Sequence, residues 1–287
     1  MNLPERIRVV EVGPRDGLQS APKVLDTETK IQLIERLAQA GLTVIEATSF
    51  VSPKAVPQLA DADEVLRRLR RAKGVRYPVL VPNEKGLERA LAAGATEIAV
   101  FASASEAYSR KNLAHGREEV LAILRPVVRR AKDAGLFARG YLSMVIADPW
   151  DGPTPVAFAV DDGRRLLDLG CDEVSLGDTV GAGTPVTVDR LIRGFIAAGV
   201  TPERLAVHLH DTHHQALANV LTVLGLGVTT IDASVAGLGG STVVEDPHGN
   251  LATEDLLFFC DGNGIATGID RNAVVEIGAW LRRELVA

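Results

Sequence analysis

The chain has 287 residues, 46% of them hydrophobic, with 31 Lys and Arg against 37 Asp and Glu and a formal net charge of -6. That apolar content can bury a large core, as one α/β barrel or two smaller domains, while bases scattered among acids leave no footprint for nucleic acid. No apolar run approaches the roughly 18 residues that cross a bilayer, the opening MNLPERIRVVEVG has no signal-peptide core, and two cysteines, Cys171 and Cys260, are too few for a disulfide framework; no membrane partner and a cytoplasmic location are expected.

An opening apolar strand at residues 7–13 leads into Arg15-Asp16-Gly17. From there one phrase recurs: a helical stretch closes on glycine, and an apolar strand follows within a few residues. It is read at Gly41, Gly74, Gly94, Gly135, Gly170, Gly199 and Gly227. Glycine suits the position just past a helix because it tolerates the left-handed conformation that ends the helix. Seven such joints after the opening strand make eight strands separated by helices, and their runs of Val, Ile and Leu fit parallel strands buried on both faces. Eight alternating units close into a (β/α)8 TIM barrel; a doubly wound open sheet is the alternative with the same alternation. No linker rich in Pro, Ser or Gly divides the chain, so residues 1–287 are expected to form a single catalytic domain with a glycine-rich lid loop at about 236–250.

Reactive side chains in such a barrel sit at the C-terminal ends of strands. Arg15 and Asp16 follow strand one, Glu46 lies on strand two, Asn83 follows strand three, Asp178 follows strand six, and His208 and His210 lie on strand seven. Between them, Arg67-Arg68-Leu69-Arg70-Arg71 reads as a solvated helix face. Alternate side chains of a strand face the same way, so His208 and His210 project together and could chelate one ion, although each could equally satisfy an ordinary hydrogen bond.

With the carboxylate of Asp16 and the amide oxygen of Asn250 the two imidazoles would make a mixed nitrogen and oxygen set with open positions, suited to Mg²⁺ or Mn²⁺ ahead of Co²⁺ or Zn²⁺. Arg15 could hold a carbonyl or enolate oxygen through charge-assisted hydrogen bonds, or form a structural salt bridge with Glu46 or Asp178. Those two acids could serve a proton relay or merely neutralise Arg15. The run Gly237-Leu238-Gly239-Gly240 lacks the register and lysine of a phosphate loop, which leaves a flexible lid or a plain irregular loop. His213 and His214 are expected to be solvated at a helix start, His115 has no assigned role, and His248 could overhang the site.

Over nearly its whole length the chain resembles the 3-hydroxy-3-methylglutaryl-CoA lyase family, part of a metal-dependent barrel superfamily that also holds isopropylmalate, homocitrate and citramalate synthases. The resemblance is carried by VEVGPRDGLQ at 10–19, VIEATSFVSPKAVPQLADADEV at 44–65, PVLVPNEKG at 78–86, VSLGDTVGAGTP at 174–185, VHLHDTHHQALAN at 207–219, SVAGLGG at 234–240 and GNLATED at 249–255. It implies a divalent metal, Mg²⁺ or Mn²⁺, held by Asp16, His208, His210 and Asn250. It further implies that Arg15 stabilises the enolate of departing acetyl-CoA, that Gln19 joins Arg15 at the acyl-CoA substrate, and that Glu46 and Asp178 are supporting acids. The implied reaction is a retro-Claisen cleavage to acetyl-CoA and a keto acid, by a protein similar to homodimers.

One departure stands out. Where these lyases carry a cysteine after SVAGLGG, this chain has Ser241, and residues 242–248 also leave the family's pattern. Met144 and Asp148 stand where cysteines are frequent, and His214 where a glycine is common. A serine hydroxyl is a far weaker acid than a thiol of reference pKa near 8.5. Three readings follow: a lyase that replaces the thiol by another residue or water, a condensing enzyme of the same superfamily, or a metal- or CoA-binding homologue with little catalysis. If the missing thiol alone limits the chain as a lyase, Ser241→Cys raises acetoacetate release from 3-hydroxy-3-methylglutaryl-CoA by roughly 10²- to 10⁴-fold. No gain in a folded, metal-loaded variant would shift the cause to residues 242–248.

Overall fold

Eight parallel strands alternate with helices in the computed structural model, which describes residues 3–240 and 249–286. They are β1 (Arg8–Glu11), β2 (Thr48–Ser49), β3 (Val79–Leu80), β4 (Glu97–Ser103), β5 (Phe137–Ser143), β8 (Glu173–Asp178), β9 (Leu205–Leu209) and β10 (Thr230–Ala233), with β6 (Ala147–Asp148) and β7 (Gly152–Pro153) forming a small antiparallel hairpin after β5. The helices are α1 (Thr27–Gln39), α2 (Ala62–Arg68), α3 (Glu84–Ala92), α4 (Glu106–Leu113), α5 (Arg117–Asp133), α6 (Val156–Asp168), α7 (Pro185–Ala197), α8 (Ala216–Gly225), α9 (Thr253–Gly262) and α10 (Arg271–Val286).

The hydrogen-bonded order is β1-β10-β9-β8-β5-β4-β3-β2. The two edges then meet: Glu11 N donates to Val44 O at 3.0 Å and Glu46 N to Glu11 O at 2.9 Å. That contact closes the sheet, so the fold is the (β/α)8 barrel and not the open doubly wound alternative. The seven glycine joints behave alike, with φ between +76 and +113. At Gly41 the need is doubled, because a Cβ there would lie 2.5 Å from the carbonyl oxygen of Gly268.

Each strand has two unlike faces. Outward residues such as Val9, Ala138, Leu142, Val174, Leu176, Val207 and Ile231 join one apolar core beneath the helices. Inward residues are buried too, yet they include Arg139, Tyr141, Glu173, Ser175, His208 and Asp232. Burial on both faces was expected; an axis filled with charge was not, because Val, Ile and Leu runs advertise only the outer face. The arginine run also differs from expectation. Helix α2 stops at Arg68, Leu69 is buried, and Arg70 lies past the helix end in an ion pair with Glu35 at 2.6 Å.

Glu11 binds three segments together. Its Oε1 accepts from Gly13 N and Val235 N, both at 2.8 Å, and its Oε2 from the Thr253 hydroxyl at 2.7 Å. The turn after β1, the segment after β10 and the start of α9 are thereby held to one carboxyl group. Burial pushes that carboxyl from its ordinary 4.5 up to about 7, against the pull of the three donors.

The folded protein therefore keeps this proton to a higher pH than the unfolded chain does, and Glu11 lowers stability as pH rises from 4.5 to about 7, by about 3 kcal/mol in all. Glu11→Gln is expected to fold, its amide oxygen accepting both N–H groups, and to remove one proton's worth of slope from stability measured by denaturant unfolding across that window. Glu11→Ala leaves three donors unpaired and loses about 1–3 kcal/mol for each. An unchanged slope in the glutamine variant would contradict the assignment.

Candidate active site

Directly after β1 the chain makes one wide helical turn, Gly13–Gly17, in which Arg15 N, Asp16 N and Gly17 N all donate to Val12 O at 3.1, 2.7 and 3.2 Å. The turn is pressed against its neighbours: a Cβ on Gly13 would lie 2.6 Å from Glu11 Oε1, and one on Gly17 2.9 Å from the Ser234 hydroxyl. Glycine at 13 and 17 lets the turn pack this closely while Arg15 and Asp16 enter the barrel mouth side by side.

Across the mouth, strand β9 presents His208 and the residue just past its end, His210, with ring centroids 5.3 Å apart. Asn250 is docked beside them, since Asp211 N donates to Gly249 O at 3.1 Å and Leu251 N to Leu209 O at 2.9 Å. One ligand atom each from Asp16, His208 and His210 lies within 4.8 Å of the others. The Asn250 amide group donates to Asp16 Oδ2 and to Leu238 O, both at 2.9 Å, which leaves its Oδ1 buried without a hydrogen-bond partner. Two ring nitrogens, a carboxylate and an orphaned amide oxygen form a donor set that fits a divalent cation. The glycine-rich segment lies against this set: a Cβ on Gly239 would clash with the Asn250 amide nitrogen and lie 3.2 Å from Asp16 Oδ2.

Arg15 is only 6% exposed. Its Nε donates to Glu46 Oε2 at 2.7 Å and its Nη1 to Asp16 Oδ1 at 2.5 Å, and its guanidinium lies 5.0 Å from the centre of the Tyr141 ring. Burial would raise the Asp16 carboxyl, but the charges of Arg15 and His208 outweigh it and hold the group down at about 2. Burial raises Glu46 despite Arg15. It works against the charged forms of Arg15 and His208, yet their acidic neighbours lift both above their ordinary values: Glu46 and Asp16 for Arg15, Asp232 and Asp16 for His208.

The other expected residues have their own partners. Asp178 does not neutralise Arg15: its carboxylate accepts from Ala182 N at 3.1 Å and Gly183 N at 2.8 Å, and burial raises it to about 6. Asn83 caps α3 by accepting from Gly86 N at 3.0 Å. Gln19 is half-buried one turn beyond Arg15. His213 and His214 are exposed, as expected, and His214 has φ +55, the conformation that makes glycine natural there. Asp148 orders the hairpin after β5, accepting from the Ser105 hydroxyl at 2.6 Å and from Trp150 N at 2.7 Å. Ser241 and His248 lie outside the described residues.

Three groups beside the site went unread in the sequence. Tyr141 donates to Glu46 Oε2 at 3.1 Å, and Arg139 Nη2 to Asp232 Oδ1 at 2.6 Å. Asp232 Oδ2 lies 3.4 Å from His208 Nδ1 and also takes the Ser175 hydroxyl at 2.8 Å. A signal was present: each is a polar residue at an inward position of an otherwise apolar strand.

Comparison with known proteins agrees with this geometry. The HMGL-like family model matches residues 6–280. The chain is 48% identical to the cytoplasmic 3-hydroxy-3-methylglutaryl-CoA lyase of Danio rerio, over 99% of this chain and 84% of that protein. It is 46% identical to the mitochondrial hydroxymethylglutaryl-CoA lyase of Bos taurus, over 98% and 86%. Among solved structures, hydroxymethylglutaryl-CoA lyase from Pseudomonas aeruginosa matches with a TM-score of 0.97 at 45% identity, over 100% of this chain and 95% of that one. An HMG-CoA lyase from Acinetobacter baumannii in complex with coenzyme A and 3-methylmalate matches with a TM-score of 0.94 at 34% identity, over 98% and 92%. By barrel, site and match along nearly its full length, the chain belongs to the HMGL-like family.

Proposed function

We propose that this chain is a divalent-metal-dependent carbon–carbon lyase that cleaves 3-hydroxy-3-methylglutaryl-CoA, or a closely related 3-hydroxyacyl-CoA, to acetyl-CoA and a keto acid, acetoacetate for the parent substrate. The observation that carries the reading is a buried, permanently charged Arg15 placed beside the Asp16, His208 and His210 cluster. Coenzyme A bound by the Acinetobacter baumannii relative supports an acyl-CoA substrate. The proposal includes one catalytic domain over 1–287, a homodimer and a cytoplasmic location; relatives carry both cytoplasmic and mitochondrial names, and no helix is long and apolar enough to cross a membrane among the described residues.

Cleavage removes the proton of the tertiary hydroxyl at C3 and breaks the C2–C3 bond. The hydroxyl carbon becomes a ketone, and the bond's electron pair becomes the enolate of the thioester, which a proton converts to acetyl-CoA. Asp16, His208, His210 and Asn250 would hold the ion, Mg²⁺ or Mn²⁺, which when bound acts as a Lewis acid that eases removal of the hydroxyl proton.

Arg15 has Nε and Nη1 committed to Glu46 and Asp16, which leaves its Nη2 to donate to the thioester oxygen as charge develops there. Glu46 fixes the angle of that fork, and the Tyr141 hydroxyl fixes Glu46. Because these groups are buried, little solvent reorganisation opposes the developing charge. Gln19, just beyond the Arg15 turn, is assigned to the acyl-CoA, and Ser241 to proton transfer. Asp178 supports the site by ordering the turn at 181–183. The segment at about 236–250 covers the enolate as a lid, keeping water from it.

Removing one imidazole from an open site sharply weakens metal binding. His208→Ala and His210→Ala are therefore expected to lose most of their bound metal after purification, as read by elemental analysis; full occupancy in both folded variants would overturn the ligand assignment. Arg15→Met is expected to lower kcat by about 10²- to 10³-fold while acyl-CoA affinity changes little, because its charge acts on the transition state. Unchanged turnover would make Arg15 a structural residue.

A further inference from the structure

The axis of the barrel holds a connected polar chain whose central pair the reaction as described leaves without a task. Arg139, 3% exposed, and Asp232, 1% exposed, sit at its centre. One side of the Arg139 fork donates through Nη2 to Asp232 Oδ1 at 2.6 Å. The other donates through Nη1 to the Tyr141 hydroxyl at 3.2 Å, which in turn donates to Glu46. Below, Arg139 Nε lies 3.1 Å from Glu173 Oε1, and Glu173 also pairs with Arg8. Above, Asp232 Oδ2 lies 3.4 Å from His208 Nδ1, while the other ring nitrogen, Nε2, lies 3.8 Å from Asp16 Oδ2.

Burying an ion pair so completely is a poor device for stability, since desolvation of the two charges offsets their attraction and a well-packed apolar pair of similar volume does as well or better. The outward neighbours on the same strands, Ala138, Leu142, Ile231 and Ala233, are plainly apolar. The pair is also in the right place for a different task. A histidine that binds a metal through one nitrogen is oriented by a carboxylate at the other. Strands β9 and β10 are in register with Asp232 directly opposite His208.

We propose that Arg139 and Asp232 are a positioning pair, Asp232 setting the His208 ring so that Nε2 is presented to the metal groups, and Arg139 tying that ring to the Tyr141–Glu46 arm that holds Arg15. This inference rests on the metal-dependent reading above. The pair touches neither substrate nor metal; it acts through His208 and through Glu46. One guanidinium thus sets the spacing between the metal side and the Arg15 side of the site.

The test uses the full chain, with Mn²⁺ affinity measured by titration calorimetry on metal-free protein and stability measured by thermal unfolding. The double substitution Arg139→Met with Asp232→Leu leaves Glu173 and Ser175 each without one partner and is expected to lower Tm, while in the folded protein it weakens Mn²⁺ binding by about 10- to 100-fold. Asp232→Asn, nearly isosteric, decides the matter if the double variant fails to fold, and is expected to weaken Mn²⁺ in the same direction. Wild-type Mn²⁺ affinity in the folded variants overturns the positioning role and leaves the metal reading standing. Wild-type protein that binds no Mn²⁺, or binds it equally well after His208→Ala, overturns the metal reading and this inference with it.

Discussion

Placing a guanidinium inside a barrel is the constraint around which the site is arranged. Arg15 reaches 6% exposure with its charge intact because Glu46 and Asp16 meet it at 2.7 and 2.5 Å. Neither carboxylate could be buried there alone, since an unpaired ion in that environment would neutralise itself or stay in water. The three groups therefore come as a set. Asp16, paired on one oxygen with Arg15, keeps the other oxygen near His208 and the Asn250 amide. The pairing that makes Arg15 tolerable also keeps Asp16 ionised as a prospective ligand.

The barrel supports this arrangement by dividing labour between its two faces. Apolar outward residues pack under the helices and supply the hydrophobic driving force. The inward face is thereby released from packing duty and can hold Arg139, Tyr141, Glu46, Asp232 and His208 in mutual contact. Parallel strands fix the separation of these groups, because a side chain on a hydrogen-bonded strand cannot move without its neighbours. Sites built this way hold ligands more tightly in place than sites carried by loops.

Glu11 does comparable work on the outside of the barrel wall. Through Gly13 it touches the turn that carries Arg15, and through Val235 it touches the segment that leads to Gly239. The turn that carries Asp16 and the segment that carries Gly239, which meet at the candidate metal site, are anchored to one carboxyl group. Its elevated pKa, about 7, is the consequence of drawing that anchor into an apolar layer.

The sequence by itself determined whatever depends on neighbours along the chain. Seven helix ends were legible because a left-handed residue after a helix favours glycine, and all seven have positive φ. His208 and His210 were legible as a pair because side chains two apart on an extended strand share a face. The tertiary structure decided everything that depends on closure. Arg139 and Asp232 are 93 residues apart, Tyr141 and Glu46 are 95, and Glu11 and Thr253 are 242, so no local pattern announces that they touch. Asn83 and Asp178 sit at strand ends as expected, and what the sequence did not announce is that short-range hydrogen bonds from Gly86 and Gly183 engage their side chains. Strand-end position is a property of the sequence; which way a polar side chain is satisfied there depends on which donors the closed barrel brings within 3 Å.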